Sequence, residues 1–404
     1  MLASASVDLS ITLVPNLWSD HYRLMTKYRI LHITKDDKFF DGVYNAFETD
    51  ERLENKAVLE VNQVEGYQFR RIKNGERIRL VDRTGMKAVL KLGEYDAVFF
   101  YSLSMPQYDY FRWIPKDKKV IWWCWGYELY ENSDGTTPLI RIPLYQPLTE
   151  ALRQVLNSDA HGWKHFIKVH LLRHIRDHKR AGIIRRIDYF QPVIPLEYQL
   201  MHKVKGFRAK EFYYPLCFTN KDVDFAIKHL TDGSVLMGNS ASETNNHLDA
   251  WDKIKDYIPT NRKIVFPLNY GHMDYADAIC NRIISNNHEL LFLRDFLPCD
   301  DYWQLIDSCS YAVFGVMRQQ AMGNILHCLT KGIKVFLYRD SLVYRFLKEW
   351  GYAVYAIEDI DEQSFKTTLT EAELLQNAKA FAKEAEYIMS VREMAFREII
   401  PDGD

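Results

Sequence analysis

Ser234-Val235-Leu236-Met237-Gly238-Asn239-Ser240-Ala241-Ser242-Glu243-Thr244-Asn245-Asn246-His247 is the stretch from which this chain is read. An apolar run of strand length gives way at a glycine to small polar residues, and a helical pattern follows from about residue 245. The alternation then repeats. Apolar runs at 263–268, 289–293, 311–314 and 334–337 are each followed by helical stretches, at 273–285, 299–308, 324–330 and 342–350. Such regular alternation predicts a doubly wound parallel sheet. Ligands in these sheets bind beyond the carboxyl ends of the strands, which directs attention to the loops after Met237, Leu268 and Phe314.

The preceding half is built similarly but less regularly. Apolar runs at 28–33, 57–61, 97–101 and 119–123 read as buried parallel strands, residues 138–186 turn helical and basic, and 188–192 adds one more strand. The expected organisation is an N-terminal extension at 1–24 outside the fold and a Rossmann-like domain at 25–215 carrying a basic helical segment at about 160–186. A second Rossmann-like domain is expected at 216–370, with the chain crossing over near 205–220, and a helix at 371–404 packs back on the first domain. Two domains are what 404 residues lead one to expect, since a single core rarely serves so long a chain.

Composition narrows the function classes. With 47% apolar and 26% charged residues the chain can bury a large core. A net charge of −2 sets up no global field for nucleic acid. The six cysteines, Cys124, Cys217, Cys280, Cys299, Cys309 and Cys328, form no CxxC pair, which argues against a disulfide framework or zinc site and for a reducing, cytoplasmic setting. No apolar run reaches the roughly 18 residues that a membrane-spanning helix needs.

In the quoted loop Gly238, Asn239 and Ser240 allow backbone to approach a ligand, and amide N–H groups at a helix start suit phosphate oxygens. The loop matches neither GxGxxG nor GxxxxGK[ST], so nicotinamide cofactors and P-loop ATP chemistry are disfavoured. The same residues could equally cap the following helix. A second turn of the same kind contains Arg318, Gln319, Gln320, Gly323 and Asn324: a guanidinium for a diphosphate, amides for hydroxyls, and a helix opening toward the anion. The alternative there is an Arg318 paired to a nearby carboxylate. Tyr270 and Tyr302 follow neighbouring strands and are candidates for contact with a nucleoside.

In the first half, Trp122-Trp123-Cys124-Trp125-Gly126-Tyr127-Glu128 ends a strand in a carboxylate. A glutamate desolvated beside tryptophans suits a general base acting on a sugar hydroxyl, so Glu128 is the candidate base, with Trp125 and Gly126 on the acceptor side. Lys164, Lys168, Arg173, Arg176, Lys179 and Arg180 interleave with apolar residues and read either as a membrane-surface helix or as a solvated basic face. The histidines of this helix lack a carboxylate or cysteine to complete a metal site. The DxD matches at Asp222–Asp224 and Asp359–Asp361 follow no suitable strand, so no metal or other cofactor is expected.

Taken together, Gly238-Asn239-Ser240 with Asn246-His247, Pro267 with Tyr270, 296–302, Arg318-Gln319-Gln320 with Gly323, and Trp125-Gly126 with Glu128-Leu129-Tyr130 resemble the 4-acetamido-4,6-dideoxygalactose transferases of glycosyltransferase family 56. The likeness is densest in the second domain. It implies a GT-B fold, two Rossmann-like doubly wound domains facing a cleft, and a dTDP-sugar as donor. It also implies a polyprenyl-diphosphate-linked saccharide as acceptor and action at the cytoplasmic face of the bacterial inner membrane. The family usually has aspartate where this chain has Glu128, and the basic segment here is expanded. Two other functions fit the same architecture: a sugar-nucleotide epimerase, and a non-catalytic nucleotide-sugar-binding scaffold.

Overall fold

The computed structural model describes residues 27–37, 39–131, 135–156, 163–213 and 231–399, with backbone alone for 163–171. The 1–24 extension, the chain between 213 and 231 with Asp222 and Asp224, and the tail after 399 lie outside the described residues.

The first sheet is parallel throughout, in the order β3-β2-β1-β4-β5-β6-β7. Its strands are β1 (Tyr28–Ile33), β2 (Leu53–Glu60), β3 (Ile78–Val81), β4 (Ala97–Tyr101), β5 (Lys119–Trp123), β6 (Tyr189–Gln191) and β7 (Lys210–Glu211). Helices α1 (Phe40–Glu48), α2 (Arg83–Leu92), the short α3 (Tyr127–Tyr130), α5 (Trp163–Ile184) and α6 (Pro195–Met201) belong with it; α4 (Pro147–Leu156) does not, as shown below. The β4 strand shows why the sheet is central. Ala97, Phe99 and Tyr101 enter one apolar layer while Val98 and Phe100 enter the other, all of them fully buried. Burying one such phenylalanine is worth about 2–3 kcal/mol, so a strand apolar on both faces fixes itself in the middle.

The second sheet, also parallel, runs β10-β9-β8-β11-β12-β13. It comprises β8 (Ser234–Met237), β9 (Lys263–Pro267), β10 (Glu289–Leu293), β11 (Cys309–Phe314), β12 (Lys334–Leu337) and β13 (Tyr355–Ala356). Its helices are α7 (His247–Ile254), α8 (Met273–Arg282), α9 (Cys299–Asp307), α10 (Met322–Thr330) and α11 (Leu342–Trp350). In both sheets the strand order reverses beside the first strand, at β1/β4 and β8/β11. Those reversals open crevices at the carboxyl edges.

Two segments tie the halves together. Helix α4, placed by sequence in the first domain, packs on the second. Asp249 on α7 accepts from the amides of Leu148 (2.7 Å) and Thr149 (2.9 Å) and from Thr149 Oγ1 (2.7 Å), capping α4 from outside. Leu152 enters the core of the second domain, and Arg153 pairs with Glu243 at 2.6 Å. The chain thus crosses to the second domain and returns along α5. Helix α12 (Glu371–Ile399) crosses the other way. Early in it, Asn377 and Glu384 bond Ala353 N and Tyr352 OH of the second domain. Later, Tyr387, Arg392 and Glu398 reach Glu211, Asp50 and Lys210 of the first.

Candidate active site

Beyond β8, Gly238 adopts φ +71°, and its amide donates to Val313 O at 2.9 Å. A Cβ there would lie 2.5 Å from His247 Nε2 and 3.0 Å from Asn245 Oδ1, so both conformation and space demand glycine. Asn245 organises the loop: its Oδ1 accepts from Asn239 N (3.2 Å) and its Nδ2 donates to Ser240 O (3.0 Å) and Oγ (3.2 Å). The amide of Ala241 donates to Tyr270 O at 2.7 Å. The expectation of a bare amide cradle is therefore corrected for Gly238 and Asn239, whose N–H groups are bonded within the protein. Beneath the loop His247 is fully buried; its Nδ1 meets Tyr275 OH at 3.1 Å, and burial lowers its pKa to about 3.

The two turns singled out by sequence do meet. Thr244 Oγ1 donates to Gln320 Oε1 (2.5 Å), Gln320 Nε2 to Asn239 Oδ1 (3.4 Å), and Asn239 Nδ2 to Tyr270 OH (3.0 Å). Ala321, at φ +61°, starts α10, whose first turn leaves Gly323 exposed with open space above it. Asn324 Nδ2 donates to Tyr302 OH at 2.7 Å. Both tyrosine hydroxyls are therefore engaged by asparagines of the site, and burial raises the pKa of each ring. The half-buried rings stand at its edge.

Arg318 is buried in this turn. Its Nη1 donates to Gln319 O (2.6 Å), its Nη2 forms an ion pair with Glu131 Oε1 (2.6 Å), and its buried Nε has no partner. Glu131 comes from the first domain, so the carboxylate pairing weighed as the alternative for Arg318 exists and crosses the cleft. Gly126 lies beneath Gln319 at the same crossing.

On the first domain, Lys35 Nζ donates to Ser102 Oγ (2.7 Å) and Tyr127 OH (3.2 Å), at the carboxyl ends of β1, β4 and β5. Ser102 is buried at φ +60°, a conformation disfavoured for residues other than glycine and typical of sites that require a particular geometry. Trp125 is half-buried against Trp123 and the exposed Phe39, with ring centroids at 5.5 and 5.8 Å. Sequence reading missed Lys35, Ser102, Tyr127 and Asn245. Lys35 and Ser102 could have been found by inspecting the end of every strand of the first sheet rather than that of β5 alone, whereas Tyr127 stood in the stretch already inspected.

Glu128 is as desolvated as expected, and burial raises its pKa. Its geometry is otherwise. Oε1 accepts from Leu103 N (3.1 Å) and Oε2 from Trp125 N (3.0 Å), bracing the loops after β4 and β5. With both oxygens held by amides beneath the cleft floor, Glu128 is a brace rather than the free carboxylate expected of a base. Deeper still, Glu197 accepts from Tyr130 OH (2.9 Å) and from the amides of Val193 and Ile194, and burial pushes its pKa up to about 7.

Two of the cations read as membrane-facing, Lys179 and Arg180, have partners within the protein. Arg180 is buried and donates to Thr136 Oγ1 (2.8 Å) and Thr137 O, and Lys179 pairs with Asp109 at 2.5 Å. Arg173 and Arg176 are half-buried, whereas His174, Ile175 and His178 are exposed. The side chains of Lys164 and Lys168 lie outside the described residues. Loop 135–137 holds Arg180 inward, while the exposed Lys179 pairs with Asp109 of the segment 105–112 at the surface. Asp359 pairs with Arg339, and Asp361 accepts from Gln363 N and Ser364 Oγ. Among the described residues no His/Cys/Asp/Glu group has the form of a metal site, and no helix is long and apolar enough to cross a membrane.

Solved structures share this architecture. The N-terminal domain of trehalose-6-phosphate phosphatase from Candida albicans matches with a TM-score of 0.54 at 9% identity, over 95% of this chain and 98% of that one. Sucrose-phosphate synthase from Thermosynechococcus elongatus matches at 0.54 and 8%, over 92% and 98%. Trehalose 6-phosphate synthase from Burkholderia multivorans matches at 0.51 and 10%, over 93% and 96%. At such identities the likeness establishes the fold alone.

Two Rossmann-like domains facing a cleft, with the candidate site at their carboxyl edges, give this chain the GT-B fold. The family model described as 4-alpha-L-fucosyltransferase, glycosyl transferase group 56, matches residues 156–392, more than half of the chain. The chain belongs to glycosyl transferase group 56.

Proposed function

We propose that this enzyme transfers a deoxy or acetamido sugar from a nucleotide-diphosphate donor, with dTDP-4-acetamido-4,6-dideoxygalactose favoured, to a polyprenyl-diphosphate-linked saccharide. The reaction serves bacterial surface polysaccharide synthesis at the cytoplasmic face of the inner membrane. The observation that carries the reading is Arg318: a buried guanidinium at the carboxyl edge of the donor sheet, beside the 237–247 loop, with a cleft-spanning carboxylate as its counter-ion. A departing diphosphate matches that guanidinium in charge and in bidentate geometry. The open first turn of α10 at Gly323 and Asn324 adds a helix dipole to the same place, so the leaving group is stabilised without a metal. Tyr270 and Tyr302 border the position of the nucleoside, and Trp125 and Phe39 offer aromatic faces to an acceptor sugar.

The family's fucosyl description and the exposed apolar side chains Val155 and Leu156 on α4 and Ile175 on α5 support a 6-deoxy sugar and contact with a lipid surface. The test combines binding and turnover. Thermal shifts with dTDP, UDP and GDP identify the nucleotide, and dTDP is expected to stabilise most. Incubation with the corresponding sugar nucleotide and a polyprenyl-diphosphate saccharide is expected to yield an elongated lipid. A sugar isomerised without any lipid product, or binding with no turnover at all, overturns the reading in favour of an epimerase or a binding module.

A further inference from the structure

We propose that Glu131 is the reactive carboxylate of the cleft: it holds Arg318 in the free protein, yields that guanidinium to the donor diphosphate, and then accepts the acceptor's proton. The inference rests on Arg318 being the diphosphate clamp. Glu131 directly follows α3 on the first domain and reaches across to Arg318 Nη2 at 2.6 Å, beside the point where Gly126 lies under Gln319. Its side chain keeps 27% of its accessible surface, whereas Glu128 is buried with both oxygens bonded to amides. Of these two neighbouring acids, Glu131 is the one in the cleft.

The pair is poorly satisfied as it stands. A guanidinium carries five N–H donors, and Arg318 is buried with Nε unpartnered while its nitrogens meet one carboxylate oxygen and one carbonyl. Gln319 Oε1 is likewise buried without a partner beside it. A diphosphate offers more oxygens and more charge than the carboxylate, so exchange of Glu131 for the donor satisfies Arg318 better. It also releases a carboxylate on the first domain, opposite the donor turn.

The chemical step balances without a further reactant. The acceptor hydroxyl gives its proton to the Glu131 carboxylate, and its oxygen forms the new bond to the anomeric carbon. The bond from that carbon to the diphosphate oxygen breaks, its electron pair leaves with the diphosphate, and Arg318 holds the added charge. Donor binding thus both fills the clamp and frees the base, which makes binding ordered with the donor first.

The full-length enzyme with Glu131→Ala, Glu131→Gln and Glu131→Asp tests this by calorimetric titration with dTDP and by initial rates. Removing the competing anion should tighten dTDP binding at least about fivefold in Glu131→Ala and Glu131→Gln, while turnover falls at least about a hundredfold. The shorter Glu131→Asp should restore part of the turnover. Gain of nucleotide affinity together with loss of rate is not what a misfolded or merely weakened cleft shows. Turnover within about threefold of the parent in Glu131→Ala, or dTDP binding weakened in both neutral variants, overturns the proposal. Parent enzyme that binds no nucleoside diphosphate defeats the donor-site reading itself, and this inference with it; a failure confined to the variants removes Glu131 alone.

Discussion

The Cα of Gly126, on the loop after β5, lies directly under Oε1 of Gln319, on the turn after β11, so closely that a Cβ would overlap that oxygen. Gly126 also has φ +92°, a conformation that L side chains rarely adopt. The floor of the cleft is thus a backbone-to-side-chain contact between the domains. Gly126→Ala should push the Gln319 amide from its place and strain the loop after β5 at a positive φ, and misplacement of a group at a site of this kind costs up to about 10²-fold in rate. We expect turnover to fall by more than about tenfold, measured as initial rate at saturating donor, with far-UV circular dichroism unchanged.

Arg318 should discriminate diphosphate from nucleoside. In Arg318→Lys the charge stays but the planar fork is lost, together with the bond to Gln319 O. The expected result is dTDP affinity lowered at least about tenfold, equivalent to roughly 1.4 kcal/mol, with thymidine affinity unchanged. Isothermal titration with both ligands checks it. Equal weakening of the two would mean that the turn contacts the base rather than the phosphates.

Asp249 should matter to stability out of proportion to its size. It accepts three hydrogen bonds from the first turn of α4, across about a hundred residues of chain. Asp249→Ala leaves those donors uncapped and should lower unfolding free energy by about 2 kcal/mol, with Asp249→Asn recovering part of it. Urea unfolding followed by tryptophan fluorescence measures both.

Glu384 gives a pH prediction with a definite sign. Burial raises its pKa to about 7, against the partial relief of the bond from Tyr352 OH. The folded state therefore holds this proton where the unfolded state, near 4.5, has lost it. The group's stabilising contribution is complete below about pH 4.5 and disappears as pH rises through 7. Glu384→Gln keeps an acceptor for Tyr352 and removes the titration. Relative to the parent, its melting temperature should rise between pH 5 and pH 8, corresponding to on the order of 2–3 kcal/mol. A difference independent of pH would show that Glu384 does not titrate in that window.

The alternation after residue 234 was legible because each central strand is apolar on both faces and each loop opens with a residue that only a turn needs. Gly238 is the clearest case: its positive φ and the packed His247 beneath it leave no room for another residue. Three of the four edge strands were not legible. Strand β3 carries an exposed Arg79, while β7 and β13 are two residues long, so none of them offers a run for periodicity to register. Helix α4 was misplaced for a related reason. Its apolar stripe announces that it is buried, but a stripe does not say which domain buries it.

The sequence by itself determined two parallel sheets and two polar turns beyond the strands of the second, since periodicity, glycine placement and side-chain chemistry are local properties. Tertiary structure alone decided what each charge faces. It turned Arg180 inward, tied up both oxygens of Glu128 with amides of Leu103 and Trp125, and set Glu131 against Arg318 from the opposite domain. The physical reason is that a charge's role depends on its partners and its dielectric surroundings, and here these come from segments as far apart in the chain as Glu131 and Arg318.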